Sequence, residues 1–440
     1  MVNAKKLALN VNYIFVILFL LFGRTFSGLD IFGLRIGEYI VGFLLASSTF
    51  FLFLKNNLIV KQINIPYKAS IIFKLLIIAF IFNFIVNNSQ LTNLYVFRTS
   101  SYIWFLFLIY FFLFILDNKP PSQFFLISIS IVLIYIYVLS TIHFPPFLRE
   151  FFLSYSDKFD FLKGSDLLLS YVFVNYINKK YYSNSDHAFY YFILVTGLYL
   201  PLFLYMSKGS FIPAVLYAVV EFYFQRKKIN AKKIQTLFFI FASAGLFVLS
   251  TFQVEGVTRD AIDSAIQSDE SFSNSIQDAF IQQLQKNVEN KNTVDSLFSF
   301  YFVDSRIYST DLPLNWRLQI WQDVWLDLVE KGRLLFGYGN NSVIPAMDID
   351  WRKGMDSLNE NVHNFLVNIL ARGGLVQVFL FLLFFYYIIS YQIKNSKSFE
   401  ILQYVVPVIL TSLFDASMES VRFPFIFYFG LSIVFSSKKL

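Results

Sequence analysis

The chain of 440 residues contains no cysteine, so neither disulfide bridges nor thiol chemistry can contribute to its fold or function. Charged residues are also scarce: they make up 15% of the sequence, well below the usual level of about a quarter. Hydrophobic residues reach 56%, and 20% of all residues are aromatic. This balance excludes an ordinary soluble domain and is typical of a polytopic helical membrane protein. Short alternating segments, which mark a membrane β-barrel, are not visible, and the predicted fold class is therefore all-α.

Twelve apolar segments are long enough to cross a bilayer as helices, at about 10–23, 36–54, 70–87, 95–116, 123–142, 164–178, 187–206, 209–225, 234–252, 362–391, 399–416 and 421–436. The segment at 164–178 is the weakest, because it is short and begins with polar residues. A count of twelve places every cluster of Lys and Arg on one side of the membrane, whereas eleven would leave the strongest cluster, 226–233, outside. Because cytoplasmic loops carry the excess of Lys and Arg, we expect both chain ends in the cytoplasm.

A long polar stretch at 253–361 interrupts this pattern and divides the chain into three parts. Residues 1–252 hold predicted spans one to nine, 253–361 form one large helical loop domain outside the cytoplasm, and 362–440 hold spans ten to twelve. The loop contains 17 acidic and 9 basic residues, a net charge of −8, while the rest of the chain carries +15. The basic surplus therefore belongs to cytoplasmic loops that face anionic lipid, and nucleic acid is not an expected partner.

Two helices are predicted within this loop. Apolar residues at steps of four predict an amphipathic helix at 272–290, either packed on the membrane or domain surface or acting as a mobile lid. A second helix is predicted at 315–331, with Asn315 as its N-cap and Gly332 as its C-terminal stop. Its predicted apolar face consists of Arg317, Trp321, Trp325 and Leu328. An arginine on such a face either extends its charge into water or meets an anion in a pocket.

Two short motifs follow that helix. Gly337 and Gly339 flank a tyrosine and predict a tight turn where the backbone approaches another part of the molecule. Asp348 and Asp350 form an acidic pair of the kind that holds a metal and a nucleotide sugar in many glycosyltransferases. Nucleotide sugars are cytoplasmic, whereas this loop is predicted to lie outside, so we interpret the pair as a solvated acidic loop. His363 stands at the predicted boundary between the loop and span ten.

Three of these elements occur in an order that resembles the O-antigen ligase/polymerase superfamily: Arg317 with Trp321 four residues later, the turn Phe336-Gly337-Tyr338-Gly339, and the sequence His363-Asn364-Phe-Leu-Val-Asn-Ile-Leu. Two further elements are similar to those of the family. Ser207-Lys208-Gly209-Ser210 resembles its S-R-G-A turn, and Leu34-Arg35-Ile36-Gly37-Glu38 resembles its arginine-and-acid start of span two. The chain departs from the family at Lys208, which keeps the charge of the expected arginine but loses its bidentate fork.

The resemblance implies a metal-independent glycosyltransferase that needs no cofactor and acts at the periplasmic face of the bacterial inner membrane. Its donor would be a glycan on undecaprenyl diphosphate. A polymerase would transfer this glycan to another lipid-linked glycan, and a ligase would transfer it to the lipid A core. The implied partners are these lipid-linked substrates, the bilayer and a chain-length regulator.

The chemistry of this reaction assigns roles to several residues. A diphosphate leaving group needs positive charge, and an attacking hydroxyl needs a proton acceptor that works near neutral pH. We expect His363 to act as the base and Arg317 to hold the diphosphate. Further predicted diphosphate contacts are Arg35, Lys208 and Arg98, and the predicted supporting residues are Trp321, Gly337, Gly339 and Asn364. Arg35, Lys208 and Arg98 have an alternative role, in which they pair with Glu38 or with lipid headgroups. Glu419 and Arg422 are also expected to pair with each other.

The long loop favours a polymerase, since it can cover a growing glycan, but the motifs suit a ligase as well. A secondary transporter is the alternative from another functional class. Transporters place broken helices and buried acids at the middle of the membrane, whereas here Glu221 and Asp415 lie near span ends.

Overall fold

The computed structural model of the protein describes residues 2–57, 63, 65–90, 93–117, 119–141, 144–156, 162–182, 186–267, 299–349, 352 and 360–436. This part of the chain is nearly all-α, as predicted. It also contains two short antiparallel hairpins that the sequence did not predict. They pair β1 (Asp30–Ile31) with β2 (Leu34–Arg35), and β3 (Phe300–Val303) with β4 (Arg306–Ser309). The predicted helix at 272–290 lies outside the described residues.

The helices follow the predicted order along the chain. They are α1 Val2–Ser27, α2 Ile36–Phe53, α3 Tyr67–Val86, α4 Leu94–Thr99, α5 Ser101–Trp104, α6 Phe107–Leu116, α7 Gln123–Thr141, α8 Pro146–Tyr155, α9 Gly164–Tyr181, α10 His187–Met206, α11 Lys208–Ala231, α12 Lys233–Gln267, α13 Leu312–Glu330, α14 Phe365–Ser396, α15 Glu400–Ser412 and α16 Arg422–Ser436. Short 3-10 turns cover Pro345–Met347 and Ser417–Glu419.

Every predicted span coincides with a helix, or for 95–116 with the broken series α4 to α6. Within the described residues, seven helices are long and apolar enough to cross a membrane: α1, α2, α3, α7, α10, α12 and α14. Shorter apolar helices cover 101–116, α15 and α16. The structure therefore supports a multi-pass membrane protein, and the count of twelve spans stays a prediction. Helix α12 also continues to Gln267, well past the predicted span end at 252.

Two helices form the centre of the bundle. Helix α16 is buried along its whole length, and α9 is buried from Gly164 to Asn178. A helix surrounded by protein does not face lipid, so it can carry more polar residues than a lipid-facing span. This position explains why α9 has the weakest apolar signal of the predicted spans. By contrast, only 11% of the apolar stretch of α12 is buried, and this helix leaves most of its surface to the bilayer.

Helix α14 is broken in its second and third turns, where Gly374 has a φ of +66°. The break frees two amide N–H groups and two carbonyls of the helix, and the segment 334–339 pairs with all four. These bonds join Leu375 N to Leu334 O (2.9 Å), Val376 N to Leu335 O (3.3 Å), Tyr338 N to Ala371 O (2.7 Å) and Gly339 N to Arg372 O (2.9 Å). The outer loop is thereby fixed to the helix that follows His363.

Candidate functional site

Helix α13 positions Arg317, and its start differs from the prediction. The N-cap is Asp311, whose carboxylate accepts a hydrogen bond of 2.9 Å from Leu314 N, so the predicted N-cap at Asn315 is wrong. Pro313 fits within the first helical turn because the N–H groups there have no intrahelical partner. The helix ends at Glu330, and Gly332 follows with a φ of +63°, which agrees with its predicted role as a stop.

The buried face of α13 is also rotated from the predicted one. Ile320, Val324 and Leu328 are each fully buried against the loop and α14, whereas the predicted face residue Trp325 is 46% exposed. Arg317 precedes Ile320 by three residues and therefore extends the buried stripe at its N-terminal end. Trp321 donates a hydrogen bond of 2.7 Å from Nε1 to the carbonyl of Val362. This bond ties α13 to the residue that precedes His363.

His363 occupies a special backbone position at the start of α14. Its φ is +52°, and the next residue, Asn364, is the N-cap of the helix. The Asn364 carboxamide oxygen accepts hydrogen bonds from Leu366 N (3.0 Å) and Val367 N (3.1 Å). The edge of the His363 ring meets Trp316 of α13, with 5.2 Å between ring centroids. Asn364 thus fixes the start of the helix that follows His363, and its supporting role in the site stays a prediction.

The two predicted turn glycines lie where the loop contacts the membrane helices closely. Gly337 has a φ of +67°, and a Cβ there would lie 2.6 Å from the carbonyl oxygens of Ala371 and Arg372. Gly339 has a φ of +81°, and a Cβ there would lie 2.9 Å from the Asn87 side chain. Arg372 itself donates 3.0 Å to the Tyr95 hydroxyl and also bonds loop carbonyls. These contacts agree with a structural role for Arg372.

A cluster of charged side chains surrounds His363. Lys208 pairs with Asp311 at 2.5 Å, and Arg317 interacts electrostatically with both Asp311 and Asp415. Lys163 acts on Asp415 and His363, and Ser165 donates a hydrogen bond to Asp415. We refer to the following residues as the outer cluster: Lys163, Lys208, Asp311, Arg317, His363 and Asp415. Three cations and two carboxylates leave it with a net charge of +1 when His363 is neutral.

Burial and these charges set the protonation of two groups in the outer cluster. Burial lowers the pKa of His363 to about 4, and the positive charge of Arg317 adds to this effect. Burial raises the pKa of Asp415, but Lys163, Ser165, His363 and Arg317 together outweigh it and lower that pKa to about 2. At neutral pH the imidazole is therefore neutral and able to accept a proton, while the Asp415 carboxylate is charged.

The guanidinium of Arg317 retains unused hydrogen-bonding capacity. Its Nε is fully buried and has no hydrogen-bond partner among the residues that the structure describes. Arg317, His363 and Asp415 nevertheless each keep part of their surface exposed. A buried donor without a partner is costly unless a ligand fills the position. The arrangement suits an anion that binds Arg317 beside a neutral imidazole.

Arg35 and Arg98 belong to a second cationic group, at the outer end of α2. Arg98 pairs with Glu38 at 2.6 Å, and the backbone N–H of Arg35 donates 3.1 Å to the same carboxylate. Gly37 packs on Val421, in the turn between α15 and α16. Lys208 and Arg317 thus share Asp311, whereas Arg35 and Arg98 gather around Glu38.

Some residues of the site were not predicted from the sequence. The sequence indicates Asp415 only as an acid near a span end, and no motif includes Lys163. Lys163 lies at the outer end of a span, as Arg35, Arg98 and Lys208 do, so the same rule would have found it. The expected pair of Glu419 with Arg422 is wrong, because Arg422 instead pairs with Asp166 through two hydrogen bonds of 2.9 and 2.8 Å.

Metal ligands can be assessed only in the described ranges, where no group of three or more His, Asp or Glu residues is arranged to hold a metal ion. Asp348 of the acidic pair follows the 3-10 turn, and Asp350 lies outside the described residues.

Comparison with known families agrees with the resemblance found in the sequence. Residues 191–385 match a family model described as O-antigen ligase, which supports the O-antigen ligase/polymerase superfamily. The matched region runs from α10 into α14 and includes Lys208, Arg317 and His363. No curated protein matches the chain. The family match in a membrane protein supports glycan transfer of the ligase/polymerase type, with lipid-linked glycans as substrates.

Proposed function

We propose that the protein polymerises oligosaccharide repeat units carried on undecaprenyl diphosphate, at the periplasmic face of the bacterial inner membrane. The observation that carries this proposal is the neutral His363 beside Arg317, whose buried Nε has no partner among the described residues. The O-antigen ligase domain at 191–385 includes both residues.

In the proposed reaction, the acceptor hydroxyl oxygen attacks the anomeric carbon of the donor sugar, and the bond from that carbon to the phosphate oxygen breaks. His363 takes the proton of the hydroxyl. The lipid diphosphate leaves with the bonding electron pair, and Arg317 with Lys208 balances the negative charge that develops on it. Carboxylates flank both cations, which limits the net positive charge of the outer cluster.

Two features favour a polymerase. The loop at 253–361 is long enough to cover a growing glycan. The two separate cationic groups also match a reaction in which donor and acceptor each carry a lipid diphosphate. Arg317 and Lys208 would bind the donor diphosphate, and Arg35 and Arg98 would bind that of the acceptor. A ligase has one such substrate and needs one such group.

The test is transfer by purified protein in lipid nanodiscs, with a lipid-linked repeat unit as substrate and products separated on a gel. The native protein should give a ladder. His363→Ala should lower the rate by about 10²–10⁴-fold, as expected for loss of a general base, while the protein stays folded. The matched control is His187→Ala, at the first residue of α10, which should keep the native rate. A ladder from His363→Ala at more than about a tenth of the native rate would remove His363 from the mechanism.

The second candidate is a ligase, because the matching family model is described as O-antigen ligase. The same assay with lipid A core added separates the two activities. Transfer of one preformed glycan to the core, without a ladder, would identify a ligase. Solute uptake into liposomes without glycan transfer would instead favour a transporter.

A further inference from the structure

The turn that joins α15 to α16 connects the two cationic groups of the site. Asp415, at its start, belongs to the outer cluster. Val421, at its end, packs on Gly37 in the first turn of α2, where a Cβ added to the glycine would lie 3.2 Å from the valine side chain. Between them, the 3-10 turn Ser417–Glu419 packs against α5, α14 and α16. Glu419 therefore stands between the two groups along this turn.

The carboxyl group of Glu419 lies in a polar region inside the protein. Its Oε1 atom is buried and has no hydrogen-bond partner within the described residues, although part of the residue is exposed. The same holds for three other buried atoms: Ser417 Oγ, Gln377 Nε2 and Arg372 Nε. Tyr102 relates these groups, because its hydroxyl donates to Gln377 Oε1 and interacts electrostatically with Arg372 and Glu419. Buried donors and acceptors of this kind suit ordered water and a side chain that can both donate and accept.

Titratable groups face Glu419 from each element packed on it. Arg372 of α14 is the cation, Asp415 of the same turn is the anion, and α5 contributes the Tyr102 hydroxyl. Arg422 of α16 is engaged by two hydrogen bonds to a carboxylate of α9. Burial raises the pKa of Glu419 to about 8; the charge of Arg372 opposes this effect, and the charge of Asp415 adds to it. At pH 7, below this pKa, about nine tenths of Glu419 should be protonated.

We propose that Glu419 is a positioning residue of the transfer site and that its neutral form is needed for tight binding of the donor diphosphate. As a neutral acid it donates one hydrogen bond and accepts others, which suits its polar surroundings. As a carboxylate it is a third anion beside three cations, so the net charge of the outer cluster together with Glu419 falls from +1 to 0. The cations then hold an anionic diphosphate less tightly. The identity of the ligand rests on the proposed function, whereas the protonation of Glu419 does not.

The first experiment measures this protonation by infrared difference spectroscopy of the purified full-length protein in nanodiscs, from about pH 6 to about pH 10. The C=O stretch of a protonated carboxyl group is separate from the bands of a carboxylate. The native protein should lose one such band with a midpoint near pH 8, and Glu419→Gln should lack it. The matched control is Glu330→Gln, the same change at an exposed acid of α13, which should keep the band. A native protein without the band at pH 6 would have an ionised Glu419, which would overturn the proposal.

The second experiment measures the KM for the lipid-linked repeat unit against pH. In the native protein this KM should rise roughly tenfold between about pH 7 and about pH 9.5, the order expected for one unit charge added about 10 Å away at an effective dielectric constant of about 20. Glu419→Gln should keep a low KM throughout, because glutamine does not ionise. A purely structural role would change kcat or stability at every pH and leave the pH profile unmoved. An equal rise of KM in the native protein and in Glu419→Gln would refute the coupling.

The two measurements distinguish failure of this proposal from failure of the proposed function. A titrating Glu419 band in a protein that transfers no glycan would refute the proposed function and leave the protonated Glu419 standing. Glycan transfer with a KM that does not depend on pH would refute only the role of Glu419. If Glu419→Gln fails to fold, the native protein still provides a test, because the midpoints of the infrared band and of the KM rise should coincide. Midpoints that differ would overturn the proposal.

Discussion

The protonation of His363 can be measured without any glycan substrate. The chain has 3 histidines, so a variant with His143→Gln and His187→Gln retains His363 alone. Diethyl pyrocarbonate acylates the neutral imidazole and not the imidazolium ion. The rate of acylation of this variant, followed by mass spectrometry between pH 4 and pH 8, therefore reports the neutral fraction of His363.

The expected result follows from the pKa of about 4 that burial and Arg317 impose. An ordinary histidine, with a pKa of about 6.5, is only about one tenth neutral at pH 5.5. At that pH more than about nine tenths of His363 should still be neutral, because the pH lies above its lowered pKa. The acylation rate, corrected for reagent hydrolysis, should hence stay nearly constant from pH 8 to pH 5.5 and fall only near pH 4.

A second variant identifies the cause of the shift. Adding Arg317→Gln removes a positive charge that disfavours the imidazolium ion, so the acid limb should move to higher pH. It should remain below pH 6.5, because burial is the largest cause of the shift and persists. A limb near pH 6.5 in the parent variant would show a solvated imidazole and refute the reasoning. A limb that does not move in the Arg317→Gln variant would show that this charge is too far away.

Three further predictions test other parts of the site. Arg317→Lys should lose nearly as much transfer activity as Arg317→Ala, measured as ladder formation, since a point charge replaces the guanidinium fork poorly; near-native activity would show that charge alone suffices. Transfer should survive EDTA, because arginine and lysine supply the positive charge; loss that Mg²⁺ or Mn²⁺ restores would contradict this. Gly337→Ala should lower the free energy of unfolding by about 1–3 kcal/mol through backbone strain. The clash of the added Cβ with Ala371 O should lower it by an additional amount. Gly332→Ala, at a φ of +63° with nothing within 4 Å of the added Cβ, isolates the strain, and equal losses in the two variants would refute the close contact.

Hydrophobic pattern was sufficient to place the helices, because a membrane helix must satisfy its backbone internally and face apolar surroundings. Even the weak segment at 164–178 is a helix, and its burial in the bundle explains its polarity. The turn at Gly337 was also predicted as a close backbone approach, because glycine has no side chain and lets another backbone come near. Its partner was not predictable. The carbonyls that it meets are exposed only because α14 breaks at Gly374, a tertiary feature.

Local signals failed where two residues could serve the same role. Asp311 and Asn315 are both good N-caps, and the sequence does not say which of them the fold uses. In the structure Asp311 caps α13, and the Asn315 side chain accepts a hydrogen bond of 3.1 Å from Ser309 N in strand β4. The N-cap of the helix therefore lies four residues earlier than predicted. Its buried face, which tertiary packing sets, includes Val324 rather than Trp325. Strand β4 was not predicted, so the hydrogen bond between Ser309 of this strand and Asn315 could not be predicted either.

Long-range contacts explain the residues that were missed. Asp415 receives a hydrogen bond from Ser165, which lies 250 positions earlier in the chain. No pattern in either segment indicates this contact. The motifs identified His363 and Arg317, but the carboxylate that balances Arg317 and the lysine that faces His363 become visible only when α9, α13, α14 and the turn after α15 meet.

The outer cluster links the binding of an anion to the basicity of His363. After burial, the charge of Arg317 is the main cause that lowers the pKa of His363. A bound diphosphate would offset that positive charge, so the pKa of His363 should rise toward neutrality when the donor is present. A general base is most effective when its pKa lies near the working pH. Asp311 and Asp415 keep the cluster at a net charge of +1 rather than +3, which limits how tightly the released diphosphate is held. Cations that bound donor and product equally well would strengthen binding without accelerating transfer. In the proposed reaction, the carboxylates that balance Lys208 and Arg317 would thus favour turnover over tight binding.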